Sequence, residues 1–163
     1  MWEVIVVIDL KSYDRTTVFE VAEWFLHKKS FTHKQLQKLC YYAQAWHCAL
    51  LDKPLFDENF QAWIHGPVCP VLYARYADYG WQPIKKLSGN SPTFEKESLQ
   101  ILKSVYRTYS RFDGAQLEAL THSELPWQQA RGDILPYEPS ENVIPVDSMK
   151  KYYAERYRQA QGD

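Results

Sequence analysis

Two threonines in the first part of the chain constrain its fold more than any other feature, because each opens a capping box. Thr17 is followed three positions later by Glu20, and Thr32 is followed three positions later by Gln35. In a capping box the hydroxyl accepts from the backbone N–H three residues on, while the second side chain reaches back to the first residue's own N–H. The boxes therefore predict the starts of two successive helices.

Apolar residues after each capping box recur at the three- and four-residue spacing that places them on one helical face. In the first helix they are Val18, Val21, Ala22 and Phe25. The second helix is predicted to continue to about Leu51, with an apolar stripe formed by Leu36, Leu39, Cys40, Ala43, Trp46 and Leu50. Its opposite side is predicted to carry Lys34, Lys38 and Tyr41.

Proline and glycine divide the middle of the chain. Residues 60–64 follow the period of two that is typical of a strand. Gly66 and Pro67 are predicted to end that strand in a sharp turn toward a third helix. Prolines favour the first turn of a helix and glycine its end, so this helix is predicted to run from Pro70 to about Tyr79, with Gly80 after it.

Two further helices are predicted before residue 123. The fourth is expected over residues 92–112, with one face formed by Ser98, Ile101, Leu102, Val105, Tyr109 and Phe112. Asp113 and Gln116 have the spacing of a third capping box, which predicts a fifth helix over residues 114–122.

The last part of the chain is interrupted by prolines. Pro126 is predicted to start a short sixth helix that Gly132 ends. Residues 143–146 are a candidate strand. Asp147 is predicted to cap a final helix to about residue 161, and its aromatic residues are expected to pack inward: Tyr152, Tyr153 and Tyr157.

The predicted fold is therefore mainly α, a single compact helical domain of about six helices with a minor short β ribbon. The helical domain is expected to occupy residues 15–163. Residues 1–14 are predicted to be an N-terminal extension or a short strand packed on the body, because apolar residues alternate from Trp2 to Ile8.

Charge and hydropathy disfavour nucleic-acid and membrane partners. The net charge is −1 and is evenly spread, whereas nucleic-acid affinity rests largely on Lys and Arg neutralising phosphates. The longest apolar run, residues 4–8, is far shorter than the ~20 residues of a membrane span. It also lacks the basic start of a signal peptide. We expect a cytoplasmic protein with no membrane partner.

No metal or cofactor is predicted. The three cysteines, Cys40, Cys48 and Cys69, lie in apolar settings and are expected to be reduced and buried. The paired Cys and His spacings of zinc sites are absent. The glycine-rich loops that hold phosphates are also absent.

Two alternatives to a simple binding protein remain open. Cys69 with His65 or His122 could form the Cys–His pair of a hydrolase, because such pairs meet in space and not in sequence. The first two helices resemble a helix-turn-helix with basic residues near the joint, which would suit a DNA-binding regulator: Lys28, Lys29, His33, Lys34 and Lys38. The second helix is long and apolar for a recognition helix.

Aromatic residues favour a protein partner instead. The chain has 6 Trp and 12 Tyr, and these residues are enriched at interface hot spots. Several of them crowd one short region: Trp63, Tyr73, Tyr76, Tyr79 and Trp81.

Three spaced blocks of sequence resemble a known family. Residues 37–46, QKLCYYAQAW, are similar to the QKLLYYAQGW block of the Panacea antitoxin domain, also called the SocA-like or phage-associated GepA-like family. Residues 53–70, KPLFDENFQAWIHGPVCP, agree with the next block. Leu120-Thr121-His122 and Pro126-Trp127 match the segment after it.

The resemblance implies an antitoxin of a type II toxin–antitoxin system, found in bacterial genomes and prophages, that neutralises a cognate protein toxin by direct contact. It also implies an alternative, a proteolytic adaptor that delivers the toxin to a ClpXP-type protease. The family has no established catalytic residues, so the resemblance implies no enzyme. It leaves the oligomeric state open.

The motifs supply candidates for partner binding or for the scaffold that supports it. Trp63 and Trp127 are expected to belong to the core more than to an interface, and His122 is expected to be a buried, hydrogen-bonded structural histidine. The full set is Tyr41, Tyr42, Gln44, Trp46, Trp63, His65, Gly66, Pro67, Pro70, Tyr73, Tyr76, His122 and Trp127.

Overall fold

The computed structural model describes residues 15–162, and within them the fold is mainly α. The strand predicted within residues 1–14 lies outside the described part. The helices are α1 (Val18–Lys28), α2 (His33–Leu51), α3 (Pro70–Tyr76), α4 (Lys96–Tyr109), α5 (Gly114–His122), α6 (Leu125–Arg131) and α7 (Val146–Ala160). The strands are β1 (Gln61–Trp63) and β2 (Gly66–Val68).

All three capping boxes are confirmed. The side chains of Thr17, Thr32 and Asp113 accept from the backbone three residues on, and each partner side chain reaches back. The predicted inner face of α1 is completely buried, and α5 has the predicted bounds. Local hydrogen bonding therefore sets where these helices begin.

Helix α2 is the centre of the molecule. The sequence placed Lys38 and Tyr41 opposite the apolar stripe of this helix, and the prediction that they lie outside the core is wrong. Lys38 and Tyr41 are each 1% exposed, whereas Leu50, placed in the apolar stripe, is 39% exposed. Helices α1, α3, α4, α5 and α7 and strand β2 all pack on α2. Elements from distant parts of the sequence thus cover the sides that the local pattern leaves polar.

The burial of α2 also contradicts the helix-turn-helix alternative. A recognition helix must present one face to the DNA major groove, whereas five helices and strand β2 pack on α2. Three residues of the predicted basic cluster make contacts within the molecule. Lys29 donates to the carbonyl of Ser110 at 3.0 Å, Lys34 pairs with Glu118, and Lys38 is buried.

Four helices differ from the sequence prediction at one or both ends. Helix α3 ends at Tyr76, and a 3-10 turn continues the chain to Tyr79. Helix α4 is shorter, although its predicted face is buried apart from the partly exposed Phe112. Helix α6 begins one residue before Pro126 and ends before Gly132, as predicted. Asp147 does not cap α7: Pro145 is the N-cap, and Asp147 lies in the first turn, where the helix dipole favours its negative charge.

The aromatic side chains of α7 divide between core and solvent. Tyr153 is buried against α2, Tyr152 is partly buried, and Tyr157 is 46% exposed. The prediction that all three pack inward is therefore right for Tyr153, partly right for Tyr152 and wrong for Tyr157.

Strands β1 and β2 form an antiparallel hairpin in which Trp63 pairs with Gly66. The turn lies at Ile64 and His65, so the prediction that Gly66 and Pro67 make a strand-to-helix turn is wrong. The strand predicted at residues 143–146 is reduced to a single bridge between Val143 and Gln61.

Candidate functional site

A groove of about 930 Å³ lies over the hairpin. It is bounded by the N-termini of α2 and α5, the end of α3, and residues 139–141, and is called the hairpin groove below. Its lining includes His33, Lys34 and Lys38 of α2, Trp63, His65 and Val68 of the hairpin, Tyr73, Gly80 and Trp81 at the end of α3, and Gly114 of α5.

Aromatic rings line one side of the hairpin groove. The Trp63 and Tyr73 rings lie 5.1 Å apart, and the His33 and Tyr73 rings lie 4.8 Å apart. Trp81 is 84% exposed, although an indole side chain is among the largest apolar surfaces a residue can bury. Exposed aromatic side chains beside a groove are typical of protein-binding surfaces.

The floor of the groove contains a buried lysine. The Lys38 ammonium donates to the carbonyl of Pro67 at 3.1 Å. Proline has no backbone N–H group. The carbonyl is therefore the one backbone hydrogen-bonding group of Pro67, and it accepts from Lys38. Burial, with a further contribution from neighbouring Lys34, lowers the pKa of Lys38 to about 7.

Glu118 of α5 joins three basic side chains beside Lys38. One carboxylate oxygen accepts from Lys34 at 2.8 Å, and the other accepts from His65 at 2.5 Å. His122 Nε2 lies 4.0 Å from Glu118. Burial raises the pKa of Glu118, but the hydrogen bonds from Lys34 and His65 outweigh it and lower the pKa below its ordinary value.

The prediction that His122 is a buried, hydrogen-bonded residue is partly right, because it forms a hydrogen bond with the backbone of Ile64. It is only partly buried, and its Nε2 has no hydrogen-bond partner among residues 15–162. Its ring stacks on Trp127 with centroids 3.9 Å apart. Burial lowers the pKa of His122, opposed by nearby Glu118.

Gly66 allows Lys38 to pass under the hairpin. Its φ is +105°, a region that side-chain-bearing residues rarely adopt. A Cβ atom at this position would lie 2.7 Å from Cε of Lys38 and 2.9 Å from Oγ1 of Thr121. The Gly-Pro pair of the sequence motif is therefore a packing feature of the groove floor.

A second polar cluster lies in the core between α2, α7 and the start of α6. The Glu124 carboxylate accepts from the hydroxyl groups of Tyr42 at 2.6 Å and Tyr153 at 3.0 Å. The Tyr153 hydroxyl oxygen also lies 3.2 Å from the hydroxyl of Tyr41, within hydrogen-bond distance. Burial raises the pKa of Glu124 and of each of these tyrosines.

Most of the predicted site residues are scaffold by their position. Trp46 donates to the Tyr109 hydroxyl at 2.8 Å, and Gln44 binds the backbone of Leu55 and Phe56. Trp127 is buried and donates to the carbonyl of Trp63 at 2.8 Å. Pro70 begins α3, and Tyr76 is partly buried at its end.

The groove brings together only part of the predicted set. Trp63, His65 and Tyr73 line it, and Gly66 and Pro67 lie beneath it. The sequence prediction missed Lys38, Trp81 and Glu118 as site residues. Trp81 belongs to the aromatic cluster seen in the sequence, whereas the positions of Lys38 and Glu118 depend on how α2 and α5 pack.

The cysteines do not resemble activated nucleophiles. All three are free and buried, and burial raises the pKa of Cys40, Cys48 and Cys69. A catalytic cysteine needs a lowered pKa, because the thiolate is the nucleophile. Residues 15–162 contain no cluster of three or more metal-ligating His, Cys, Asp or Glu side chains.

We expect the thiols to react with a disulfide reagent only after unfolding. In native buffer, the three thiols of the wild-type chain should be modified far more slowly than in denaturant, because their side chains are buried and protonated. The measurement is the rate of thionitrobenzoate release from Ellman's reagent. Rapid modification of one thiol in the folded protein would restore the hydrolase alternative, and single Cys→Ser variants would locate it.

Residues 36–128 match the family model described as Antitoxin SocA-like, Panacea domain. The match spans more than half of the chain, from α2 to α6, and includes the hairpin and Lys38. The protein belongs to this antitoxin family. No helix among residues 15–162 is long and apolar enough to cross a membrane.

A curated relative is Antitoxin SocA of Caulobacter vibrioides (strain NA1000 / CB15N). The two sequences are 32% identical over 120 residues, which cover 66% of this chain and 61% of the relative. The chain thus spans about three-fifths of the length of the relative it matches. No solved structure matches.

Proposed function

We propose that this protein is the antitoxin of a type II toxin–antitoxin system and neutralises a cognate protein toxin by direct binding at the hairpin groove. Family membership supports the antitoxin role. The observation that carries the choice of surface is the 84% exposed Trp81 beside the aromatic wall of the groove.

Size and composition favour a protein segment as the occupant. A groove of about 930 Å³ far exceeds one side chain. Trp and Tyr anchors surrounded by residues that exclude water carry most of the free energy in typical protein interfaces. Trp63, Tyr73 and Trp81 provide such anchors on one side of the groove.

The test is co-expression with the product of the neighbouring gene. Wild-type antitoxin should restore growth and co-purify with that product. Trp81→Ala should weaken binding about tenfold or more, because hot-spot truncations commonly have effects of this size. It should not lower the melting temperature, because the side chain is almost fully exposed.

Tyr157→Ala is the matched control, since Tyr157 is an exposed aromatic residue on α7 outside the groove. This variant should neutralise and bind like the wild type. A harmless neighbouring product that forms no complex would defeat the antitoxin proposal. Equal binding by the Trp81→Ala variant would defeat only the choice of the groove.

The same cells distinguish occlusion from proteolytic delivery. Under occlusion, toxin levels stay constant after translation is blocked, and neutralisation persists in cells without a ClpXP-type protease. Under delivery, the toxin disappears only when both antitoxin and protease are present. Pulse-chase labelling of the toxin measures this directly.

A further inference from the structure

Lys38 is a buried lysine whose ammonium group donates to no carboxylate among the described residues. It is 1% exposed, and the single acceptor recorded for its ammonium is the neutral carbonyl of Pro67. An ammonium group has three donors. Buried charges in proteins are normally paired, because an isolated one loses its hydration without compensation.

Carboxylates near the groove compensate Lys38 only in part. Asp113 and Glu141 also line the groove, and neither accepts a hydrogen bond from Lys38. Glu118 raises the pKa of Lys38, but burial and Lys34 outweigh it. On α2, the neighbours His33 and Lys34 are basic side chains, so neither can act as a counter-ion. From the hairpin, His65 is hydrogen-bonded to Glu118. From α5, His122 is neutral or positive, and both oxygens of Glu118 are already bound by Lys34 and His65. Lys38 is therefore a buried basic group at this site that lacks a hydrogen-bonded carboxylate.

We propose that the hairpin groove binds a segment of the toxin that carries an aspartate or glutamate side chain between apolar neighbours, and that its carboxylate acts as the counter-ion of Lys38. This inference rests on the proposed function and specifies the chemistry of the partner. The apolar neighbours pack on Trp63 and Tyr73, and the carboxylate lies over the groove floor.

The size of the groove suits a segment of several residues. The groove has a wall formed by residues near Trp81 and another formed by residues 139–141. A segment that passes through it places apolar side chains on both flanks of the carboxylate.

The pairing links binding to protonation. Burial lowers the pKa of Lys38 to about 7, so the free protein carries a proton on Lys38 in only part of the population at neutral pH. A carboxylate raises that pKa, and complex formation should take up about half a proton at pH 7. A bound carboxylate would also favour proton uptake by His33 and His122. A Lys38 variant is therefore needed to show which part of the uptake belongs to Lys38.

The first test is calorimetric titration of the antitoxin with an inactive variant of the co-encoded toxin, in two buffers of different ionisation enthalpy. Wild type should take up protons at pH 7. Lys38→Met should lose most of that uptake and weaken binding by about a hundredfold, because the toxin carboxylate is then buried unpaired. The variant should remain folded, because it replaces a buried charge by an apolar chain of similar volume.

Lys103→Met, at an exposed lysine of α4, is the control and should match wild type. Unchanged affinity and proton uptake in Lys38→Met would overturn the inference while leaving direct toxin binding intact. A complex that retains wild-type affinity in Lys38→Met but not in Trp81→Ala would show an apolar groove without acidic recognition.

A second test needs no toxin. Indole-3-acetate and the uncharged indole-3-acetamide are matched probes, and NMR can follow the Trp63 and Trp81 indole N–H signals. The acetate should shift these signals more strongly than the amide, and Lys38→Met should remove the difference. Equal shifts by both probes, or no shift by either, would overturn the acidic chemistry whatever the toxin assay shows.

Discussion

Replacing Gly66 by alanine is expected to destabilise the protein by about 3–4 kcal/mol. The backbone strain of a side chain at φ +105° contributes about 1–2 kcal/mol. The new Cβ also overlaps Lys38 and Thr121, and overpacking of this kind costs about 1–3 kcal/mol. Neither neighbour can retreat easily, because both are buried and hydrogen-bonded. Urea unfolding followed by tryptophan fluorescence measures the change.

Gly89→Ala separates the two contributions. Gly89 has a similar φ of +88°, but nothing lies within 4 Å of the position its Cβ would take. We expect a loss of about 1 kcal/mol from backbone strain alone. Equal losses at the two glycines would mean that the close approach of Lys38 to the hairpin does not contribute.

Removal of the buried carboxylate by Glu124→Ala is expected to destabilise the protein by about 4 kcal/mol. The hydroxyl groups of Tyr42 and Tyr153 both donate to this carboxylate. Its removal leaves Tyr42 without an acceptor in the core and leaves Tyr153 only the weaker contact with the Tyr41 hydroxyl at 3.2 Å. An unsatisfied buried donor costs about 1–3 kcal/mol, and the cavity left by the side chain adds to that. The melting temperature should fall by about 10 °C.

Glu124→Gln is the control for this prediction. Its amide oxygen can accept from a tyrosine hydroxyl, and the side chain fills the same space. Burial raises the pKa of Glu124, so ionisation of the wild-type carboxyl destabilises the folded state as pH rises above the unfolded-state pKa. Glutamine lacks this penalty and should lose only about 1 kcal/mol at pH 7. A loss as large as that of the alanine variant would show that the negative charge itself stabilises the cluster.

Local sequence patterns predicted the parts of the fold that local interactions control. Thr17, Thr32 and Asp113 each form a capping box with a residue three positions away, so the starts of α1, α2 and α5 were readable from neighbouring residues. Asp147 is an aspartate like Asp113, but no Glu or Gln lies three positions after it to complete a capping box. Pro145 takes the N-cap position of α7 instead.

The candidate site was only partly predictable. Family motifs and aromatic composition directed attention to Trp63, Tyr73 and the Gly66-Pro67 pair. They did not separate groove residues from core residues such as Tyr42 and Trp46, because a sequence motif on a helix does not say which neighbours will cover it. Whether a residue of α2 lies in the core depends on α7 and α4, which are distant in sequence and pack on α2 in the fold.

The sequence by itself determined a mainly helical protein of the Panacea antitoxin family, because capping, apolar spacing and the family motifs are all local patterns. Only the tertiary structure decided that Lys38 is buried. Its position on α2 suggests solvent exposure, yet the hairpin and α5 close over it and leave its charge beneath an aromatic groove. Long-range packing determines burial, and burial determines what an ammonium group can bind.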